Sequence, residues 1–129
     1  MALTPPSQVR DVTGLTADEL TRIRAFLQGA VYCWCTGRPG DWFSLRDLMG
    51  GPNRNWQGTP LFALYQKHHP APDAEERAGH DGGWLLKRVI TDDPRTFDTR
   101  EAAQIRQYRW VQAPAGAPQD AEQNAADVT

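Results

Sequence analysis

The run 83-GWLLKRVITDDPRTFDTREAAQIRQYRWV-111 decides the fold. In its first third, Leu85, Leu86, Val89 and Ile90 fall on one side of a helix turning about 100° per residue. Trp84, Lys87, Arg88 and Thr91 fall on the other side, which predicts a helix held inward by its aliphatic face and polar outside. Asp81 is placed to cap it, and Asp92-Asp93-Pro94 to stop it, because a proline ring disfavours helical backbone in the residue before it. "RTFDTRE" and "QIRQYRWV" then alternate β-branched or aromatic residues with polar ones around a polar turn, the pattern of a β-hairpin. In the second strand Tyr108 and Trp110 share one face, Arg109 and Val111 the other.

Upstream, "LTADEL" holds a capping box: Thr16 caps, Glu19 reaches back, and Leu15 meets Leu20 as a hydrophobic staple. Leu20, Ile23, Leu27, Ala30, Val31 and Trp34 recur at helical spacing until Gly37 and Pro39, which predicts a long helix over about residues 17–36. The same grammar in "WFSLRDLMGG", with Ser44 as cap and Asp47 at the third position, predicts a helix of barely two turns, preceded by a minimal strand at Trp42-Phe43. Thr59-Pro60 opens a third helix through "LFALYQKHH" to Pro70, and Pro70 to Asp81 reads as a loop with one turn near Glu75. Residues 1–14 read as a flexible segment. Residues 113–129, rich in Ala, Pro and Gly with Val128 as the sole bulky apolar side chain, read as a disordered tail.

The chain has 129 residues, 40% hydrophobic and 23% charged, which suits one globular domain; 11 glycines and 10 prolines make it loop-rich. No run approaches the ~18 apolar residues of a membrane span, and the first dozen residues lack the apolar core of a secretory signal, so a soluble cytoplasmic protein is expected. Cys33 and Cys35 stand one residue apart in a helix and cannot bridge each other, which fits reduced thiols. The net charge of −2 is unevenly spread: from Trp84 to Gln112 six bases face four acids, whereas from Ala113 onward there are three acids and no base.

Long helix, short strand, short helix, further helix and hairpin is an order that resembles the winged helix-turn-helix architecture, over about residues 15–112. The fold class expected is therefore α+β: a core of three to four helices closed by a C-terminal β-hairpin, with "TPLFALYQKHH" as a helical insert. The resemblance implies that the helix before the hairpin, about Gly82 to Thr91, enters the major groove of double-stranded DNA with the hairpin as wing. The implied function is a small bacterial or mobile-element transcriptional regulator acting by non-covalent site occupancy. Such regulators commonly dimerise, here through the first helix or the insert.

On this reading Lys87 and Arg88 contact phosphates or bases, Trp84 and Thr91 assist, and Arg100, Arg106 and Arg109 track the backbone. The alternative is a protein-interaction module, an adaptor or inhibitor, that uses Trp56, Tyr65 and Trp84; five tryptophans exceed what one small core absorbs, and tryptophan is enriched at interfaces. No catalytic residue, metal or cofactor is assigned. His68, His69, His80 and the two cysteines lack the spacing of a zinc site, Asp92-Asp93 reads as a helix stop rather than a carboxylate pair, and no nucleophile-elbow, zincin or phosphate-loop motif occurs.

Overall fold

The computed structural model describes the backbone of residues 2–4 and the whole of residues 8–111. In chain order the elements are β1 (Ala2–Thr4), α1 (Ala17–Gly37), α2 (Leu45–Leu48), α3 (Phe62–His68), α4 (Ala74–Asp92), β2 (Thr96–Ala102) and β3 (Ile105–Trp110). The class is mixed α+β, with four helices and an antiparallel hairpin. No helix among the described residues is long and apolar enough to cross a membrane.

Both expected capping boxes form. Thr16 Oγ1 accepts from the Glu19 backbone N–H while the Glu19 carboxylate accepts from that of Thr16, and Ser44 and Asp47 repeat the exchange at α2. From α1, Ile23, Leu27, Val31 and Cys35 enter the core. There they meet Leu85, Leu86, Val89 and Ile90 of α4, Phe97 of β2 and Tyr108 of β3. Phe43 is the hub, with ring centroids 5.8 Å from Trp34, 6.0 Å from Tyr108 and 6.5 Å from Phe97. The minimal strand expected at Trp42-Phe43 is reduced to Phe43, whose backbone exchanges two 2.8 Å hydrogen bonds with Tyr108. The expected pairing of the hairpin also forms, with Asp98 opposite Arg109 and Glu101 opposite Arg106.

Three expectations need correction. The fourth helix starts at Ala74, not after Asp81, so much of the segment assigned to a loop is helical. Gly79, Gly82 and Gly83 are all inside α4, and the fold uses the first two for close packing. A Cβ on Gly82 would lie 2.8 Å from Leu45 Cδ2, and one on Gly79 2.2 Å from Asn53 Nδ2. Asp81 is therefore mid-helix and pins α3, accepting from Lys67 Nζ and His68 Nε2, each at 2.8 Å. The third helix is shorter than expected and starts at Phe62; Thr59 Oγ1 accepts from the Leu61 N–H just before it. Finally, part of the segment assigned as flexible is a strand: Ala2–Thr4 runs parallel to Thr96–Asp98 and extends the sheet to the order β1-β2-β3. The tail assigned to residues 113–129 lies outside the described residues.

One ion pair fastens the α4–β2 connection to α1. Asp93 is 2% exposed and accepts from Gln28 Nε2 at 2.8 Å, from Arg95 Nε and Nη2 at 2.9 Å, and from the Arg95 backbone N–H at 2.9 Å. Burial alone would raise its carboxyl, but these donors together hold it below the ordinary carboxylate value. Arg95 in turn lies over the rings of Phe97 and Trp110, at 5.4 and 5.2 Å.

Candidate nucleic-acid interface

The polar face of α4 is not open along its whole length, and the hairpin stands across a cleft from it. Between them lies a cleft of about 590 Å³, lined from α4 by Gly83, Trp84 and Lys87, from the hairpin by Gln104 and Arg106, and across from them by Arg46. Lys87, expected on the solvated face, is 7% exposed. Desolvation lowers the pKa of its ammonium, and the positive charge of Arg106 lowers it further. Its Nζ lies 5.1 Å from the centre of the Trp84 ring, and the Arg10 guanidinium lies 4.9 Å from the same ring.

Arg88 donates to Asp11 at 2.9 Å. Arg10, Arg24 and Arg88 line one hollow of about 230 Å³ beside it. Arg24, Arg88, Arg10, Trp84, Lys87 and Arg106 thus follow one another as a basic stripe interrupted by an indole, built from α1, the segment before it, α4 and β3. Arg10 and Arg24 were not singled out from the sequence. Neither belongs to a local motif: the folding of residues 8–13 against α4 brings Arg10 there, and the packing of α1 on α4 brings Arg24.

The carboxylates bordering this stripe hold it weakly. Asp11 is 84% exposed at its side chain, so its pair with Arg88 stabilises by roughly 0–1 kcal/mol and is open to exchange with another anion. Glu101 lies 3.7 Å from Arg106, and both side chains are well exposed. Arg106 also donates to Thr99 Oγ1 at 3.3 Å.

The remaining predicted residues are placed elsewhere. Strand alternation puts Arg100 and Arg109 on the opposite sheet face from Arg106, with Asp98 and Gln107. Arg100 donates to Gln107 Oε1 at 2.7 Å and Arg109 to Asp98 at 2.6 Å. Their guanidiniums lie 4.0 and 4.7 Å from the centre of the Trp42 ring, so they hold Trp42 against the outer sheet instead of joining the stripe. Thr91 turns its hydroxyl back onto the Lys87 carbonyl, 2.8 Å away within the helix.

The aromatic insert is likewise turned inward. Trp56 is 7% exposed, in left-handed backbone with φ 58°, and belongs to the core cluster; its ring reaches within 3.4 Å of the position a Cβ would take on Gly82. That corrects its assignment as an exposed partner anchor. Tyr65 is half-buried, stacks on Phe62 with centroids 6.0 Å apart and meets His69 Nδ1 at 3.2 Å through its hydroxyl. Of the three residues assigned to a protein partner, Trp84 alone lines the cleft.

The floor of the cleft holds a group that the sequence does not single out. Tyr108 is 1% exposed, and its Oη has no hydrogen-bond partner among the described residues. Burial pushes its hydroxyl well above the ordinary phenol value, against the opposing charge of Arg106. Among the described residues, no group of three or more His, Cys, Asp and Glu side chains converges to hold a metal ion. No protein-family model, curated protein or solved structure matches the chain.

Proposed function

We propose that the chain is a DNA-binding protein of the winged-helix type, a small transcriptional regulator that acts by non-covalent occupancy of duplex DNA. The observation that carries this reading is the row of arginines Arg24, Arg88, Arg10 and Arg106 beside Trp84, along the helix preceding the hairpin, with Lys87 itself buried and outside the contact surface. Cations in such a row neutralise successive phosphates and release their counterions, and an indole among them adds a flat apolar contact. The element order supports the scaffold, and so does the Phe43 bridge to β3, which supplies the short strand between the first two helices. Arg100 and Arg109 are left out of the interface on this reading, and Arg10 and Arg24 join it.

The test is duplex binding by the full chain across a salt series. We expect log affinity to fall linearly with log salt. Arg88→Gln and Arg10→Gln should each reduce the slope by about 1, and Arg100→Gln should leave it unchanged. No measurable affinity at low salt, or an equal loss in Arg100→Gln, refutes the reading. Peptide binding at Trp84 in place of DNA would favour the protein-interaction module.

A further inference from the structure

We propose that the hollow between α1, α4 and the segment before α1 is a seat for the phosphate group of a monoester, held by Arg24 and Arg88 with Arg10 at its edge. Each arginine comes from a different stretch of chain: Arg10 from the segment leading into α1, Arg24 from α1 and Arg88 from α4. The floor between them is apolar. Leu85 is buried in the core, and Val12 and Leu20 are half-buried against it. Charges of one sign over a wall of low dielectric constant focus their field into a hollow that bulk water would otherwise screen. At about 230 Å³ the hollow is smaller than the ~300–1,000 Å³ of sites that enclose a whole small molecule, so it takes a head group and leaves the rest of the ligand outside.

A carboxylate of the chain itself marks where an oxyanion sits. Asp11 Oδ1 accepts from Arg88 Nη2 at 2.9 Å inside the lining of the hollow. The Asp11 side chain is 84% exposed, so water competes for it and a stronger acceptor displaces it. Arg24 makes no hydrogen bond or ion pair among the described residues. The Arg10 guanidinium lies 4.9 Å from the centre of the Trp84 ring, and stacking on an indole limits the directions it takes, so less freedom is lost when it closes on an acceptor.

Charge and shape select the ligand. Three arginines and one carboxylate leave the hollow with two net positive charges. A phosphate monoester carries about −1.5 to −2 at neutral pH and presents three free oxygens, which suits guanidinium forks that each donate two parallel hydrogen bonds. A phosphodiester has a single charge and two free oxygens, and leaves the seat undercompensated. Small phosphorylated molecules and the 5′ ends of nucleic acids share the monoester, and the seat reads that group alone. The seat does not rest on the DNA reading, although the same arginines serve both.

The full chain is titrated at low salt with phenyl phosphate and with its diester, methyl phenyl phosphate, reading backbone amide shifts. We expect saturable binding of phenyl phosphate, with shifts centred on Asp11, Val12, Arg24 and Arg88, and an affinity about fivefold or more above that of the diester. Arg24→Gln and Arg88→Gln should each weaken it by about fivefold, and Asp11→Asn, which removes the competing carboxylate, should strengthen it. Arg22→Gln, which alters an exposed pair with Asp18 on the same helix, should leave it unchanged; thermal melts establish that all four variants are folded. Equal affinity for the diester, unchanged binding in both hollow variants, an equal loss in Arg22→Gln, or weaker binding in Asp11→Asn overturns the proposal. A duplex with a 5′-phosphate that binds more tightly than its unphosphorylated form, by a margin lost in Arg24→Gln, supports the seat with a nucleic-acid end as its source; phenyl phosphate binding without that margin supports it as a seat for small monoesters. Monoester binding without any duplex affinity supports the seat and refutes the DNA reading; duplex affinity without monoester binding overturns the seat and leaves that reading standing.

Discussion

Replacing Tyr108 by Phe deletes one oxygen and keeps the ring that packs 6.0 Å from Phe43. In the folded chain that oxygen is out of contact with solvent and has no partner among the described residues, whereas in the unfolded chain water satisfies it. Leaving such a hydroxyl unpaired costs about 1–3 kcal/mol. The void left by one oxygen, on the order of 10 Å³, returns only a few tenths of a kcal/mol at about 24 cal/mol per Å³. Tyr108→Phe should therefore stabilise the fold by about 1–2 kcal/mol, with Tm rising by about 4–8 °C for each kcal/mol in a domain of this size. The pH dependence follows the same logic. The folded phenol titrates above its unfolded value, so above pH ~10 the unfolded chain releases a proton that the folded chain keeps. Wild-type stability then falls as pH rises, and the variant loses that component. Thermal melts and urea titrations at pH 7 and pH 10.5 measure both effects. A lower Tm in Tyr108→Phe with an unchanged denaturant slope would refute the reasoning, because it would mean that the hydroxyl is bonded.

Asp93→Ala should cost about 3–5 kcal/mol in denaturant titrations, since it strips Arg95 and Gln28 of a buried partner. Because the folded pKa of Asp93 is depressed, its contribution is fully present above the unfolded carboxylate value of about 3.9 and is lost as pH falls through the lower folded value; the wild type and Asp93→Asn should thus converge in stability under acid. Gly82→Ala should destabilise by about 1–3 kcal/mol despite the better helix propensity of alanine, because its Cβ would press on Leu45 at 2.8 Å; Gly83→Ala, which meets nothing, should stabilise by about 0.5–1 kcal/mol, and melts of the pair separate packing from propensity. Trp56→Ala should cost about 3–5 kcal/mol in chemical denaturation without changing duplex affinity per folded molecule, since its ring belongs to the core.

Wherever short-range chemistry decides, the amino-acid sequence was sufficient. Capping side chains act within three residues, so Thr16, Glu19, Ser44 and Asp47 announced the starts of α1 and α2, and strand alternation announced which hairpin residues share a face with Tyr108. The aliphatic stripe of α4 was equally legible, because it reports only the angle between successive residues. What lies opposite a residue is a property of the assembled chain. Gly82 reads as the start of a helix until Leu45 is seen against it mid-helix, and Trp56, in a polar loop, reads equally as a plug over the core or a partner anchor until its burial is seen. Lys87 reads as solvated until the assembled fold buries it, and Arg10 and Arg24 have no local signature at all. Periodicity assigns a side chain to a face; only tertiary packing decides whether that face meets water, a neighbouring strand or a cleft, because burial depends on elements distant in the chain.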